Sequence, residues 1–244
     1  MDALDALPLY ARVESELAAD IGAGRFARDG QLPPEDALSE RFAVSRTTVR
    51  QAIQRLIQRG LVEIRRGKGT FVSQPKLTQP LTALTGFVED MTRAGRAPRA
   101  RVLDKRVVVA NEAVARNLRL AKGTRVARIR RVRLADESPV SFDETYLPLP
   151  LGEKVMSANL ESEAIFALLE TRYGVPLIEA EYALEAIAAP ARIAAAIEVP
   201  VGSPIFLIER TSFSTGRVPV DHEKLYYRGD RIRFVTTLPR RARR

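Results

Sequence analysis

The run from Arg41 to Leu56, reading Arg-Phe-Ala-Val-Ser-Arg-Thr-Thr-Val-Arg-Gln-Ala-Ile-Gln-Arg-Leu, constrains the fold more than any other stretch of the chain. Ser45 is placed to cap a helix, because its hydroxyl can accept a bond from an unpaired amide of the first turn. Val49, Ile53, Leu56 and Ile57 then recur at helical spacing and make one apolar stripe. Arg46, Thr47, Thr48 and Arg50 crowd the first turn and a half, off that stripe. Cations at a helix N-terminus oppose the helix dipole. A chain that puts two arginines there accepts a local penalty, and a polyanionic partner is a physical reason to do so.

The neighbourhood separates this reading from that of an ordinary solvated basic helix. Upstream, the prolines at 33 and 34 and the acidic pair Glu35 and Asp36 mark another helix start. Downstream, residues 61–72 read as two short strands joined by a glycine-containing turn, with Arg65, Arg66 and Lys68 at the tip. Helix, helix, turn, helix, hairpin is the order of a winged helix-turn-helix, which lays the start of its last helix in a DNA major groove. From residue 41 to residue 68 there are eight Lys or Arg and one acidic residue, Glu63, so positive charge is focused on the two elements that would face DNA.

The chain's 244 residues are enough for two domains, and 45% hydrophobic with 28% charged residues is the composition of a globular protein. The formal charge of +9 favours an anionic partner. A membrane is disfavoured, since no apolar run approaches the ~20 residues that span one. With no N-terminal signal segment, the expected place is the cytoplasm, beside bacterial DNA. There is no cysteine and one histidine, His222, so thiol chemistry, a disulfide and a His-based metal cluster or triad are not expected. No cofactor is expected.

Along the chain, residues 8–26 read as a first helix. Residues 1–73 then form the winged domain, 74–80 a short polar linker with Pro75 and Pro80, 81–240 a second domain, and 241–244 a basic tail. In the second domain, 102–109, 125–134, 140–147, 178–188, 205–214, 218–227 and 231–238 read as strands. Residues 87–94, 112–118, 162–173 and 190–197 read as helices. The fold class is α+β with a largely antiparallel sheet. Two similar phrases, 118–124 and 197–203, each precede a strand and point to an internal duplication.

Residues 1–75 resemble the winged helix of the GntR family of bacterial transcription regulators. The likeness rests on Pro8 to Tyr10, Leu32-Pro33, Glu35, Val44 to Arg50 and Gly67 to Val72. Residues 81–238 resemble the UTRA effector domain of the HutC subfamily, through Arg131 to Asp136, Pro139-Val140, Tyr146 to Pro148, Leu169-Glu170, Tyr173-Gly174 and Tyr226 to Asp230. The resemblance implies a chorismate-lyase-like fold for the second domain. It also implies a homodimer on a pseudo-palindromic double-stranded operator and a small anionic metabolite as effector. A repressor released by that metabolite is the expected form. A ligand-activated activator and a chorismate-lyase-like enzyme are the alternatives, though no nucleophile–base pair or phosphate-binding glycine loop supports the enzyme.

Ser45, Arg46, Thr47, Thr48 and Arg50, with Arg66, Gly67 and Lys68 of the wing, are the expected DNA-binding residues. Arg46 and Arg50 sit one turn apart and share a face, suited to bidentate pairing with guanine. Thr47 and Thr48 read as phosphate ligands or plain surface. Lys68 reads as a groove contact or a solvated turn, and Gly67 and Gly69 as turn formers. Arg55 and Arg59 read as phosphate-neutralising or solvated.

Arg131 and Arg133 alternate along one strand and so point to one face. Two guanidinium groups there suit a carboxylate or phosphate, or an internal ion pair with Asp143 or Glu144. By resemblance Thr85, Phe87, Arg131, Arg133, Asp143, Asp221 and Tyr227 line the effector pocket. Departures from relatives fall at Asp36, where an arginine is common, and at Asp143 and Asp221, where glutamate is common. Ala164 and Phe166 stand where relatives carry hydroxyls. These changes point to a less polar ligand than an amino-sugar phosphate. His222 reads as a pH-sensitive pocket group or as a residue facing solvent or core.

Overall fold

The computed structural model describes residues 7–26, 30–59, 61–65, 67–73, 76–238 and 240. Arg66 and the basic tail at 241–244 lie outside them. The chain divides into two units, Met1–Pro75 and Lys76–Arg244.

In the first unit, helices α1 (Leu9–Gly22), α2 (Glu35–Phe42) and α3 (Arg46–Gln58) precede a hairpin of β1 (Val62–Arg65) and β2 (Gly69–Val72). Ser45 caps α3 as its position predicts, its Oγ accepting from the Thr48 amide at 3.2 Å. The turn between α2 and α3 is closed by Ala43 in the left-handed region, φ 51°. The apolar stripe of α3 packs on Val13 and Leu17 of α1 and Leu38 of α2, all buried. Glu14 of α1 is held between Arg55 at 2.7 Å and Arg59 at 2.9 Å. These two half-exposed arginines therefore clamp α1 to α3 through one buried carboxylate, which needs paired cations. Burial works against the Glu14 charge, but hydrogen bonds from Arg59 and Arg55 prevail and hold its pKa below the usual range.

The second unit is a six-stranded antiparallel sheet of order β4-β5-β6-β9-β8-β7, with β4 (Pro98–Val109), β5 (Arg125–Ala135), β6 (Ser138–Pro148), β7 (Glu179–Ala188), β8 (Pro204–Ser214) and β9 (Val218–Arg228). Leu77–Pro80, read from sequence as linker, is a strand (β3) paired in parallel with β10 (Ile232–Val235). Its prolines suggested a spacer. Proline is tolerated here because Pro80 is the last residue of an edge strand.

One sheet face carries α4 (Phe87–Arg93), α6 (Leu149–Ser157) and α7 (Ile165–Ala167), which runs on into a π-type turn, Leu168–Arg172. The other carries α5 (Glu112–Asn117) and α8 (Ala191–Ala196).

The duplicated phrases correspond to a repeated fold. β4-α5-β5-β6 and β7-α8-β8-β9 close with matching hydrogen bonds: Ala110 N to Thr124 O and Ala189 N to Ser203 O, both 2.9 Å. Each connection then turns at a glycine, Gly123 and Gly202, both with φ 83°. Equivalent positions follow directly: Arg131 matches Arg210, and Arg133 matches Ser212. On the neighbouring strand Asp143, beside Arg131, matches Glu223, beside Arg210.

Candidate functional site

Two basic sites result, one on each unit. On the first, Arg46 and Arg50 project from the start of α3 with side chains 64% and 65% exposed. Each is engaged by an acid from the first turn of α2, Arg46 by Asp36 and Arg50 by Glu35, both at 2.7 Å. Such exposed pairs contribute about 0–1 kcal/mol and are readily exchanged for a phosphate or a base edge. Asp36 thus acts on Arg46. Thr48 is drawn into the cap, its hydroxyl 2.9 Å from Ser45 Oγ, whereas Thr47 stays exposed. In the wing, Gly67 and Gly69 take φ of 74° and 115°, and Lys68 is exposed between them. Arg65 lies back over the Phe71 ring at 4.2 Å and pairs with Glu63, so it does not extend from the tip.

On the second unit a cavity of about 120 Å³ opens at the seam between the apolar clusters under α4 and α7. Arg131, Arg133 and Arg210 form its floor with Glu223. Phe87 and Phe166 form its walls, with Ala164 and Ile165 beside them. Arg133 is bound by Asp143 at 2.8 Å and lies over Phe87 at 5.2 Å. Asp143 is completed by the Ser141 hydroxyl, also at 2.8 Å. Arg210 is bound by Glu223 and lies over Phe166 at 4.5 Å. Thr145 donates to the second Glu223 oxygen at 2.6 Å.

Arg131 is the exception. It is wholly buried, and none of its three guanidinium nitrogens has a hydrogen-bond partner among the described residues. Desolvation, with Arg133 adding to it, pulls its pKa down to about 9. The repeat explains the deficit. In the second half Glu223 has a single arginine to pair with, Arg210, because Ser212 stands where Arg133 would. In the first half Arg133 takes Asp143, and Arg131 is left over.

The other expected pocket residues divide. Thr85 does not line the cavity: its hydroxyl donates to Asp90 at 2.8 Å, and Gln79 of β3 donates to the same carboxylate at 2.7 Å. Asp221 shares the sheet face but lies beyond Glu223, where burial, with Glu223 nearby, raises its pKa to about 6. Tyr227 packs edge-on against Phe234 at 5.3 Å in the core under α4. His222 points to the opposite face, buried between Asn117 and Thr211, and burial lowers its pKa. Glu144 engages Arg130, on that same opposite face, at 2.6 Å.

Sequence reasoning missed Arg210 and Glu223. The signal was present: Glu223 alternates with Asp221 and Tyr227, and Arg210 is the repeat mate of Arg131. Among the described residues no helix is long and apolar enough to cross a membrane, and no three His, Cys, Asp or Glu are grouped to hold a metal.

A winged helix joined to a ligand-sized cavity floored by arginine defines a DNA-binding regulator with a sensory domain, and the comparisons agree. Residues 9–72 match the model of the bacterial regulatory proteins of the gntR family, and residues 93–233 match that of the UTRA domain. The chain is 34% identical to the HTH-type transcriptional repressor NagR of Bacillus subtilis over 234 residues, 96% of each protein. It is 28% identical to the histidine utilization repressor of Pseudomonas aeruginosa over 227 residues, 93% of this chain and 90% of that one. The crystal structure of PhnF from Mycobacterium smegmatis superposes with a TM-score of 0.67 at 28% identity, covering 94% of this chain and 100% of the other. The chain belongs to the GntR family, in its HutC subfamily with a UTRA domain. It is a DNA-binding transcription regulator and not an enzyme.

Proposed function

We propose that the protein is a homodimeric repressor, acting in the cytoplasm on a pseudo-palindromic operator, and that a small anionic metabolite bound at Arg131 releases it. The observation that carries the effector half is the buried, unpartnered guanidinium. A charge held in that state is unfavourable by several kcal/mol, and a bound anion removes the deficit. Two relatives named as repressors support the direction. Dimerisation follows from readout, because one winged helix contacts too few bases for useful specificity. On this reading Arg46 and Arg50 read bases, while Ser45, Thr47, Thr48, Arg66, Gly67 and Lys68 hold the backbone.

The cavity is connected to the chain that leaves the DNA-binding unit. Phe87 opens α4, and Asp90 of the same helix binds both Thr85 and Gln79 of β3. Movement of α4 on binding therefore pulls on β3, which begins two residues after Pro75. Release requires only that effector favour one arrangement, with a coupling of about 1–3 kcal/mol, and operator must weaken effector binding by the same factor.

The test is operator affinity by fluorescence anisotropy, with mass by light scattering, for the parent and Arg131→Met across a series of carboxylic and phosphorylated acids. The proposal expects a dimer whose operator affinity falls with one acid class only when Arg131 is present. A monomer at micromolar concentration with and without DNA, or equal release of both proteins, contradicts it.

A further inference from the structure

We infer that the effector is a small monocarboxylate with an apolar body, its carboxylate on Arg131 and its body between Phe87 and Phe166. This rests on the reading of the cavity as the effector site, and it adds charge, size and polarity.

Charge comes first. Of the three buried arginines on the floor, Arg133 is matched by Asp143 and Arg210 by Glu223, so a single positive charge is unmatched. Asp221, further along the same face, reduces even that surplus where it is ionised. The remaining charged lining residue is Glu89, an exposed carboxylate at the mouth. One ligand charge restores neutrality, while a second would face Glu223 and Glu89 with no cation left to meet it. The planar guanidinium presents paired donors, and a carboxylate accepts them in the same plane.

Size and polarity follow from the walls. About 120 Å³ lies well below the ~300 Å³ at which pockets for drug-sized ligands begin. Apart from the ionic groups, the lining side chains are apolar: Phe87, Val88, Ala164, Ile165, Phe166 and Ala167. No lining side chain carries a hydroxyl. A sugar body would lose its water contacts without replacement, leaving buried hydroxyls unpaired. An aryl or short branched alkyl body would lose none.

The test uses the full-length protein and two probes of the same body, benzoate and phenylphosphonate, with inorganic phosphate as control. Thermal melting is followed from mildly acidic to mildly basic pH. Benzoate should stabilise the parent at every pH. Phenylphosphonate should stabilise it as a monoanion and lose that effect as its second proton leaves, and inorganic phosphate should do little. Arg131→Met should abolish both shifts. Phe166→Ser should weaken benzoate by about tenfold or more, with a parent-like circular dichroism spectrum and a single cooperative melt showing that the fold is kept.

If phenylphosphonate binds more tightly as a dianion, through Arg131, the monocarboxylate class is overturned while the anionic-effector reading stands. If neither probe shifts the melt, the present inference is overturned. If, in addition, no acid of any class distinguishes the parent from Arg131→Met, the reading of the cavity falls with it.

Discussion

The two units handle arginine in opposite ways. On the DNA-binding unit Arg46 and Arg50 stand in solvent, where water would satisfy them, yet each has a carboxylate partner. On the effector unit Arg131 is sealed from solvent, where a partner is most needed, and among the described residues its guanidinium has no hydrogen-bond partner. Stability alone would arrange this the other way round. Pairs in water contribute little, so Asp36 and Glu35 set where the two arginines sit and how freely they meet phosphate. An unmatched cation in the interior is unfavourable, and the proposed anionic effector is what would match it.

The largest effect should come from removing the interior cation. Arg131→Met should abolish the response of operator binding to acid, a loss of the full coupling of about 1–3 kcal/mol, while affinity for operator itself stays unchanged. The anisotropy titration reads both quantities. On the other side of the comparison, Arg50→Ala should reduce operator binding by about 1–3 kcal/mol and relax specificity at one position of each half-site. Unchanged discrimination between operator and mutated half-sites would remove Arg50 from base readout.

A smaller change should follow at the connection. Asp90→Ala frees Gln79 and Thr85, so acid should still raise the melting temperature but move operator affinity less, by about 0.5–2 kcal/mol. Full retention of the response would place the path elsewhere. Smaller again, Asp36→Ala should release Arg46 to the nearest phosphate. Binding to all DNA sequences should tighten alike, and the salt dependence should steepen by about one counterion. A gain confined to the operator would make Asp36 a reader of sequence instead.

A separate effect, on stability and not on DNA binding, concerns pH. Asp221 has a folded pKa of about 6 against an ordinary value of 3.8. Between these values the folded state holds a proton that the unfolded state has lost, so the stability from this group is present below the lower value and lost as pH rises through the upper one. Asp221→Asn should therefore gain on the parent as pH rises across that window. Parallel stability curves for the two proteins would contradict the assignment.

Much of this was legible before the structure. Alternation fixed the strands of the sheet and put Arg131 and Arg133 on one face, and capping chemistry located the start of α3. What escaped has physical reasons. α6, over residues that the sequence left without an assigned element, contains Pro150 and Gly152. Gly152 is needed because a Cβ there would overlap Ala127 under the helix. β3 was hidden by Pro80, which the last position of an edge strand tolerates. Partnerships across elements leave no periodic trace, so the clamp on Glu14 by Arg55 and Arg59, and the pairing of Asp36 with Arg46, could not be read from spacing. Of the two acids that the sequence offered Arg133, the structure pairs it with Asp143, while Glu144 faces the other way and takes Arg130. That pairing depends on which of two neighbouring arginines reaches one short carboxylate.

The central claim, that Arg131 is kept for a ligand at the expense of the fold, is tested most directly by urea unfolding of the ligand-free parent and of Arg131→Met. Replacing a buried, uncompensated charge by an apolar side chain of similar length should stabilise the protein by about 1–4 kcal/mol. The account predicts a variant that is more stable, still binds operator and no longer answers to acid. A variant less stable than the parent, with acid response intact, would show that Arg131 serves the fold and not the signal.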